Sequence, residues 1–310
     1  MEGTMDNRSD DRCADRIRAL KKERNAVILA HNYQLPEVQE LADFTGDSLE
    51  LSRKAAATEA EVIVFCGVHF MAETASILCP GKKILLPDSA AACPLADMIT
   101  PQQLCELKEK HPQATVVGYV NTSSDIKALL DVCCTSTNAV AVVNALKDAK
   151  EIIFVPDKYL GDFVSKSTGR KLISWNGFCP THLKILPEDI ERQKKAHPQA
   201  EVMVHPECLP AVSAMADRVL STSGMGKYAK ETKAKELIIG TEAGMVWRLA
   251  RDNPGKKFYA ASEKAVCPNM KRITREKVLR SLETMREEVR VSDEVRRKAA
   301  KAITRMLEIV

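Results

Sequence analysis

Three cysteines stand directly before proline in this chain, at Cys93-Pro94, Cys179-Pro180 and Cys267-Pro268. The gaps between them are 86 and 88 residues. The middle one lies in Trp175-Asn-Gly-Phe-Cys-Pro-Thr-His182, which sets a thiol and an imidazole three residues apart. Thiolates are soft metal ligands. No compact Cys-x-x-Cys pair accompanies them, which argues against a zinc ribbon. Thiolates converging from distant segments suit an iron–sulfur cluster, whose usual complement is four cysteines. Three would leave one iron open to act as a Lewis acid, which points to dehydration or condensation rather than electron transfer.

A repeated unit must bring such distant residues together, and an internal repeat is present. Ala26–Tyr33, Ala114–Asn121 and Ala200–Glu207 align as apolar runs ending in polar residues two apart. The pairs are His31 and Tyr33, Tyr119 and Asn121, His205 and Glu207. Helical stripes follow at Val38-Leu41-Ala42, Ile126-Leu129-Leu130 and Val212-Met215-Ala216, and Asp43, Asp131 and Asp217 close them. Ser48, Ser136 and Thr222 come 17 residues after His31, Tyr119 and His205, and Cys93, Cys179 and Cys267 come 62, 60 and 62 residues after the same three. Further apolar runs at Glu61, Glu151 and Glu236, and at Lys83, Arg170 and Lys257, read as the remaining strands.

Strands alternating with helical patterns predict βαβ units with parallel sheets. The expected architecture is a pseudo-threefold trefoil of three small α/β/α domains, with the active site at the central axis. Its boundaries fall at 15–93, 94–180 and 181–270. A first helix is expected to begin near Asp15, one helix to run from Arg275 to Val289, and another to follow a cap at Ser292-Asp293. These C-terminal helices, 271–310, are expected to pack on the first repeat through Val278, Leu279, Leu282 and Met285.

Ligands of parallel α/β sheets bind outside the carboxyl ends of the strands. Six polar side chains of differing type at matching strand ends suit one asymmetric substrate better than structural repetition. Ser48, Ser136 and Thr222 precede helices. They can cap them or hold an anion at the helix N-terminus. Cys66, Cys79, Cys105, Cys133 and Cys134 read as core residues, and His111 and His197 carry no assigned role.

Composition limits the alternatives. The chain has 310 residues, 45% of them hydrophobic, ten cysteines and a net charge of +4. Its basic residues are scattered, which disfavours nucleic acid. No apolar stretch is long enough to span a membrane. The charged start carries no signal-peptide core, so a cytoplasmic location is expected, with the cysteines reduced. No Gly-x-Gly-x-x-Gly follows a first strand, so a dinucleotide-binding dehydrogenase ranks low. A cluster-based regulator would not need the strand-end pairs. The nearest rival is another Fe–S hydro-lyase acting on a small hydroxy acid.

Taken in order, His31-Asn-Tyr33-Gln, Gly46-Asp47-Ser48, Tyr119-Val-Asn121-Thr-Ser, Cys134-Thr-Ser136-Thr-Asn138-Ala, Gly177-Phe-Cys179-Pro-Thr-His182, His205-Pro-Glu207-Cys208, Ser221-Thr222-Ser223 and Cys267-Pro-Asn-Met270 closely resemble the quinolinate synthase family. These are the A proteins of de novo NAD biosynthesis. The resemblance runs from about Asp15 to the C-terminus. It implies the trefoil fold and a [4Fe–4S] cluster held by Cys93, Cys179 and Cys267 with one open iron. It also implies condensation of iminoaspartate, supplied by an aspartate oxidase or dehydrogenase, with dihydroxyacetone phosphate. By the same resemblance Glu207, Tyr33, His205, His31 and His182 are the catalytic candidates. Substrate would contact His31, Ser48, Tyr119, Asn121, Ser136, His205, Glu207, Ser221 and Thr222. Ser262-Glu-Lys-Ala-Val precedes Cys267 where some relatives carry extra cysteines, so their thiol switch is not expected here. Leu220 replaces a glycine found in many relatives.

Overall fold

The computed structural model describes residues 3–309. Each repeat follows one plan. The first comprises α1 (Gly3–Glu23), β1 (Ala26–His31), α2 (Pro36–Leu41), β2 (Phe44–Gly46), α3 (Ser48–Ala57), β3 (Val62–Cys66), α4 (His69–Leu78) and β4 (Lys83–Leu85). The second comprises α5 (Pro101–Lys110), β5 (Ala114–Tyr119), α6 (Ser124–Lys127), β6 (Val132–Cys134), α7 (Ala139–Ala145), β7 (Glu151–Val155), α8 (Lys158–Thr168) and β8 (Ile173–Ser174). The third comprises α9 (Pro187–Ala196), β9 (Glu201–Val204), α10 (Pro210–Ala214), β10 (Arg218–Val219), α11 (Thr222–Glu231), β11 (Glu236–Gly240), α12 (Gly244–Asp252) and β12 (Lys257–Ala260). Each repeat forms a parallel four-stranded sheet with the same strand order: β2-β1-β3-β4, β6-β5-β7-β8 and β10-β9-β11-β12. Two helices, α13 (Arg275–Thr284) and α14 (Asp293–Glu308), complete the chain.

The central strands are continuous apolar runs, as expected where helices cover both faces of a sheet. Val62, Ile63, Val64 and Phe65 are buried in the first repeat, Ile152, Ile153, Phe154 and Val155 in the second, and Leu237, Ile238 and Ile239 in the third. The edge strands β2, β6 and β10 are two or three residues long. They escape the periodicity reading because so few residues cannot display a period.

The repeated aspartates have a structural task. Asp43 accepts the Ile28 amide at 2.8 Å, Asp131 the Val116 amide at 2.7 Å and Asp217 the Val202 amide at 2.7 Å. Each aspartate's own N–H returns to the carbonyl of the same partner, at 2.9, 3.0 and 2.9 Å. One side chain thus fastens the edge connection to the first strand in every repeat. Asp131→Ala strands the amide of buried Val116 but leaves it within reach of water, since Asp131 itself is exposed. A loss of about 1 kcal/mol of stability is expected, read from urea denaturation midpoints at unchanged m-value.

The chain divides into two compact units, Met1–Ala92 with Pro268–Val291, and Cys93–Cys267 with Ser292–Val310. The second repeat and the third therefore share one unit. In the first unit, α13 packs on α1 and β3, burying Val278 and Leu282, while Leu279 and Met285 stay half-buried. Two expectations need correction. The helix expected over 275–289 ends at Thr284, where Met285 turns left-handed at φ 54°. The segment then joins the edge of the sheet: Leu86 donates to Glu287 at 3.1 Å and Val289 to Ile84 at 2.8 Å. Helix α14 packs on β6 and α6 of the second repeat through its Ala299, Ala302, Ile303 and Met306 face, and Asn138 donates to the Met306 carbonyl at 3.2 Å. Helix α1 begins at Gly3, well before Asp15. The stripes after the first strands also form shorter helices than their spacing suggests, because Leu129, Leu130, Met215 and Ala216 lie beyond the ends of α6 and α10.

Candidate active site

In the first unit, His31 is the last residue of β1. Its Nδ1 accepts the Tyr33 amide at 3.2 Å, and the two rings meet edge-on at 4.6 Å. Both are buried. Ser48 is the first residue of α3 rather than its cap; Asp47 caps that helix and forms a capping box with Glu50. Thr222 likewise opens α11 while Ser221 caps it, accepting the Gly224 amide at 3.1 Å. In the second repeat Asn138, not Ser136, flanks α7. None of the three hydroxyls expected at helix starts, Ser48, Ser136 and Thr222, is the capping group of its helix.

The second unit gathers a larger set. Glu207, fully buried after β9, lies 2.7 Å from Nδ1 of His182 and accepts the Tyr119 hydroxyl. Burial alone would raise its pKa. The His182 charge and the hydrogen bonds from His182 and Tyr119 prevail and hold the carboxyl well below its usual range. His182 Nε2 is 2.9 Å from Thr241 Oγ1, and its Nδ1 is 3.0 Å from Cys179 Sγ. His205 repeats the His31 geometry, with Nδ1 accepting the Glu207 amide at 3.3 Å. An accepting Nδ1 makes His205 a neutral Nε2–H tautomer. That nitrogen lies 3.1 Å from Ser136 Oγ, and the ring stacks on His182 at 4.6 Å. Thr137 Oγ1 donates to Ser221 Oγ at 2.8 Å, linking the starts of the second-repeat and third-repeat helices. Asn121 Oδ1 is buried without a hydrogen-bond partner, an acceptor ready for a ligand donor.

Burial lowers the His205 pKa from 6.5 to about 3, outweighing the nearby Glu207. A neutral buried imidazole contributes its full stability above the unfolded-state value near 6.5. That contribution is lost as pH falls from there toward 3, because the unfolded chain binds the proton first. The midpoint of thermal unfolding of the cluster-free chain should therefore fall more between pH 7 and pH 5 in the parent than in His205→Asn.

Cys93, Cys179 and Cys267 are half-buried, whereas Cys66, Cys79, Cys133, Cys134 and Cys208 are fully buried. Cys105 is a correction: it is exposed on α5, whose single inward position there is Leu104. All ten cysteines stand as thiols outside any disulfide. Burial, then the charges of Cys267 and Glu207, pushes Cys93 up to about 12. Burial, then Glu207, then Cys93 and Asp157, raises Cys179 well above its usual value. Cys93 thus feels the charge of Cys267, and Cys179 that of Cys93. A short 3₁₀ turn begins three residues after each cysteine, at Ala96–Met98, His182–Lys184 and Met270–Arg272.

Two donor sets share Cys179. Among the described residues, Cys179, His182 and Glu207 have ligand atoms all within 4.8 Å of one another. Cys93 and Cys267 are not part of that compact group, so the three thiols do not crowd one point as ligands about 2.3 Å from a single ion would. In the compact group, His182 Nδ1 and a Glu207 oxygen already lie 2.7 Å apart, within hydrogen-bond distance.

The residues not anticipated are Thr241, Glu242 and Asp157, which follow the third-repeat and second-repeat inner strands. Glu242 accepts the Cys267 amide at 3.1 Å. Asp157 caps α8. The signal was available as two acidic residues at one repeat position, immediately downstream of the aligned strands.

Among the described residues no helix is long and apolar enough to cross a membrane. A quinolinate synthase of Dehalococcoides mccartyi strain CBDB1 is 57% identical over 295 residues, covering 95% of this chain and 97% of that protein. One from Thermodesulfovibrio yellowstonii is 52% identical over 301 residues, covering 97% and 99%. One from Methanosarcina barkeri is 54% identical over 295 residues, covering 95% and 97%. The family model for quinolinate synthetase A protein matches residues 15–308, and with those relatives it shows that the chain belongs to the quinolinate synthetase A family.

Proposed function

We propose that this chain condenses iminoaspartate with dihydroxyacetone phosphate, losing phosphate and water as the pyridine ring of quinolinate closes. The observation that carries the reading is the buried Glu207 carboxylate, 2.7 Å from His182 in a cluster that also contains Cys179. The names of its relatives agree with it.

The reaction requires removal of a proton from carbon and delivery of protons to departing oxygens. Glu207 is assigned to take the proton, with His182, 2.7 Å away, to pass it on and Thr241 to hold that ring. His205 offers an Nε2–H, and His31 and Tyr33 are assigned to proton direction. Tyr119 and Asn121 orient a carboxylate or hydroxyl, and Ser48, Ser136, Ser221 and Thr222 hold phosphate or carboxylate.

Cys93, Cys179 and Cys267 would hold a [4Fe–4S] cluster with one iron left open. When bound, it supplies Lewis-acid polarisation of a substrate hydroxyl or carboxylate. The chain is assigned to the cytoplasm, where thiols stay reduced, with iminoaspartate coming from an aspartate oxidase or dehydrogenase. The test is anaerobic, iron-reconstituted protein supplied with iminoaspartate and dihydroxyacetone phosphate. Quinolinate formation is expected. A colourless, iron-free chain that forms quinolinate would overturn the cluster assignment, and iron-loaded protein that forms none would overturn the reaction.

A further inference from the structure

The loops that carry Cys93, Cys179 and Cys267 are fastened by one bond common to the three repeats. The His69 amide donates to the Ala91 carbonyl at 2.8 Å, Lys158 to Gly177 at 2.9 Å and Ala243 to Ala265 at 2.9 Å. Each acceptor lies two residues before its cysteine. Gly177 comes so close that a Cβ there would sit 2.4 Å from the Pro156 carbonyl oxygen. The residues preceding the three donors are therefore equivalent: Val68, Asp157 and Glu242.

Their chemistry differs in a graded way. Glu242 is fully buried and divides its carboxylate between two amides, with Oε2 on Gly244 at 2.8 Å and Oε1 on Cys267 at 3.1 Å. Asp157 is one methylene shorter and spends Oδ1 on the Tyr159 and Leu160 amides, at 2.9 and 2.8 Å. Its Oδ2 is buried and short of a well-formed hydrogen bond, and the Cys179 amide reaches the carboxyl only as a looser backbone hydrogen bond. Val68, at the first position, has no side-chain acceptor at all.

We propose that Glu242, and more weakly Asp157, are positioning residues that fix the backbone of two of the three metal-ligating loops and leave the Cys93 loop least restrained. This rests on reading the three cysteines as cluster ligands. Hydrogen bonds to a carboxylate are roughly twice as strong as neutral ones. Groups that orient metal ligands from behind are typically worth 10–100-fold in metal affinity. Glu242 holds the Cys267 main chain, so its effect is on where that sulfur sits.

The test uses the full chain, anaerobically reconstituted, as parent, Glu242→Gln, Glu242→Asp and Val68→Ala. Iron release to a chelator is followed, together with the alkylation rate of each cysteine in the cluster-free form, resolved by peptide mass spectrometry. A glutamine has an acceptor oxygen at only one of the two positions that Glu242 uses, Oε1 toward Cys267 and Oε2 toward Gly244, so Glu242→Gln is expected to release iron about tenfold faster. It should also raise alkylation of Cys267 several-fold over Cys93 and Cys179. Glu242→Asp keeps the charge near α12 but shortens the reach, and should show the same selectivity if the glutamine variant folds poorly. Val68→Ala should change neither readout. Unchanged release and alkylation, or an equal rise at all three cysteines with a lowered melting temperature, would overturn the proposal. If the parent binds no iron, the ligand reading fails, and the Cys267 alkylation ratio still decides the positioning role.

Discussion

Glu207→Gln is expected to lower kcat by about 10²–10⁴-fold, the usual worth of general acid–base assistance, while iron content and melting temperature stay near those of the parent. Glutamine fills the same buried volume, so no cavity opens. It changes two things. The amide cannot take up a proton, so the base assigned to carbon deprotonation is gone. It also presents an N–H group within the space where His182 Nδ1 now meets a carboxylate oxygen at 2.7 Å. Rotating the amide restores an acceptor toward His182 but then turns a donor toward the Tyr119 hydroxyl, which can itself rotate to accept. The site therefore re-satisfies its hydrogen bonds at small structural cost. KM should move far less than kcat, because the carboxylate is argued to act on the moving proton rather than on ground-state binding. Quinolinate formation by anaerobic protein under saturating substrate measures this. Near-normal turnover would remove Glu207 from the role of base.

Long apolar strands were the most readable part of the sequence. β5, β7 and β11 sit where their runs predict, since four buried residues in a row leave little choice of element. The pairing of His31 with Tyr33 and of His205 with Glu207 was visible as spacing. It turns out to be one local device, an imidazole Nδ1 accepting the amide two residues on. What spacing could not show was partner choice. Asp43, Asp131 and Asp217 read as helix ends, yet they serve the first strands, 15 residues upstream. Helix α14 has an amphipathic face that would suit any apolar surface; its Asn138 contact, distant in sequence, shows which one it covers. Cys105 was placed in the core by its helical context, but Leu104 occupies the inward position beside it. Glu242 and Thr241 went unnoticed because each makes its decisive contact with the segment around another residue, Cys267 and His182 respectively.

The other large effect concerns the cysteines, and it separates two kinds of metal site. If iron is held by three repeat-end thiolates, then Cys93→Ser, Cys179→Ser and Cys267→Ser should each lose most of the iron and essentially all quinolinate formation. A serine oxygen is a harder, poorer ligand for iron–sulfur chemistry than thiolate. If the metal were instead a single ion on Cys179, His182 and Glu207, the pattern would differ. Cys93→Ser and Cys267→Ser would then retain it, and His182→Ala would lose it. Cys93 and Cys179 are thiols pushed up by burial and by nearby acidic groups. Metal coordination is the way such thiols lose their protons near neutral pH, since a bound cation reverses the local preference for the neutral form. Iron and sulfide content with the visible spectrum, compared across the four variants and the parent, reads the result directly. Full metal retention in Cys93→Ser would rule out the three-thiolate cluster.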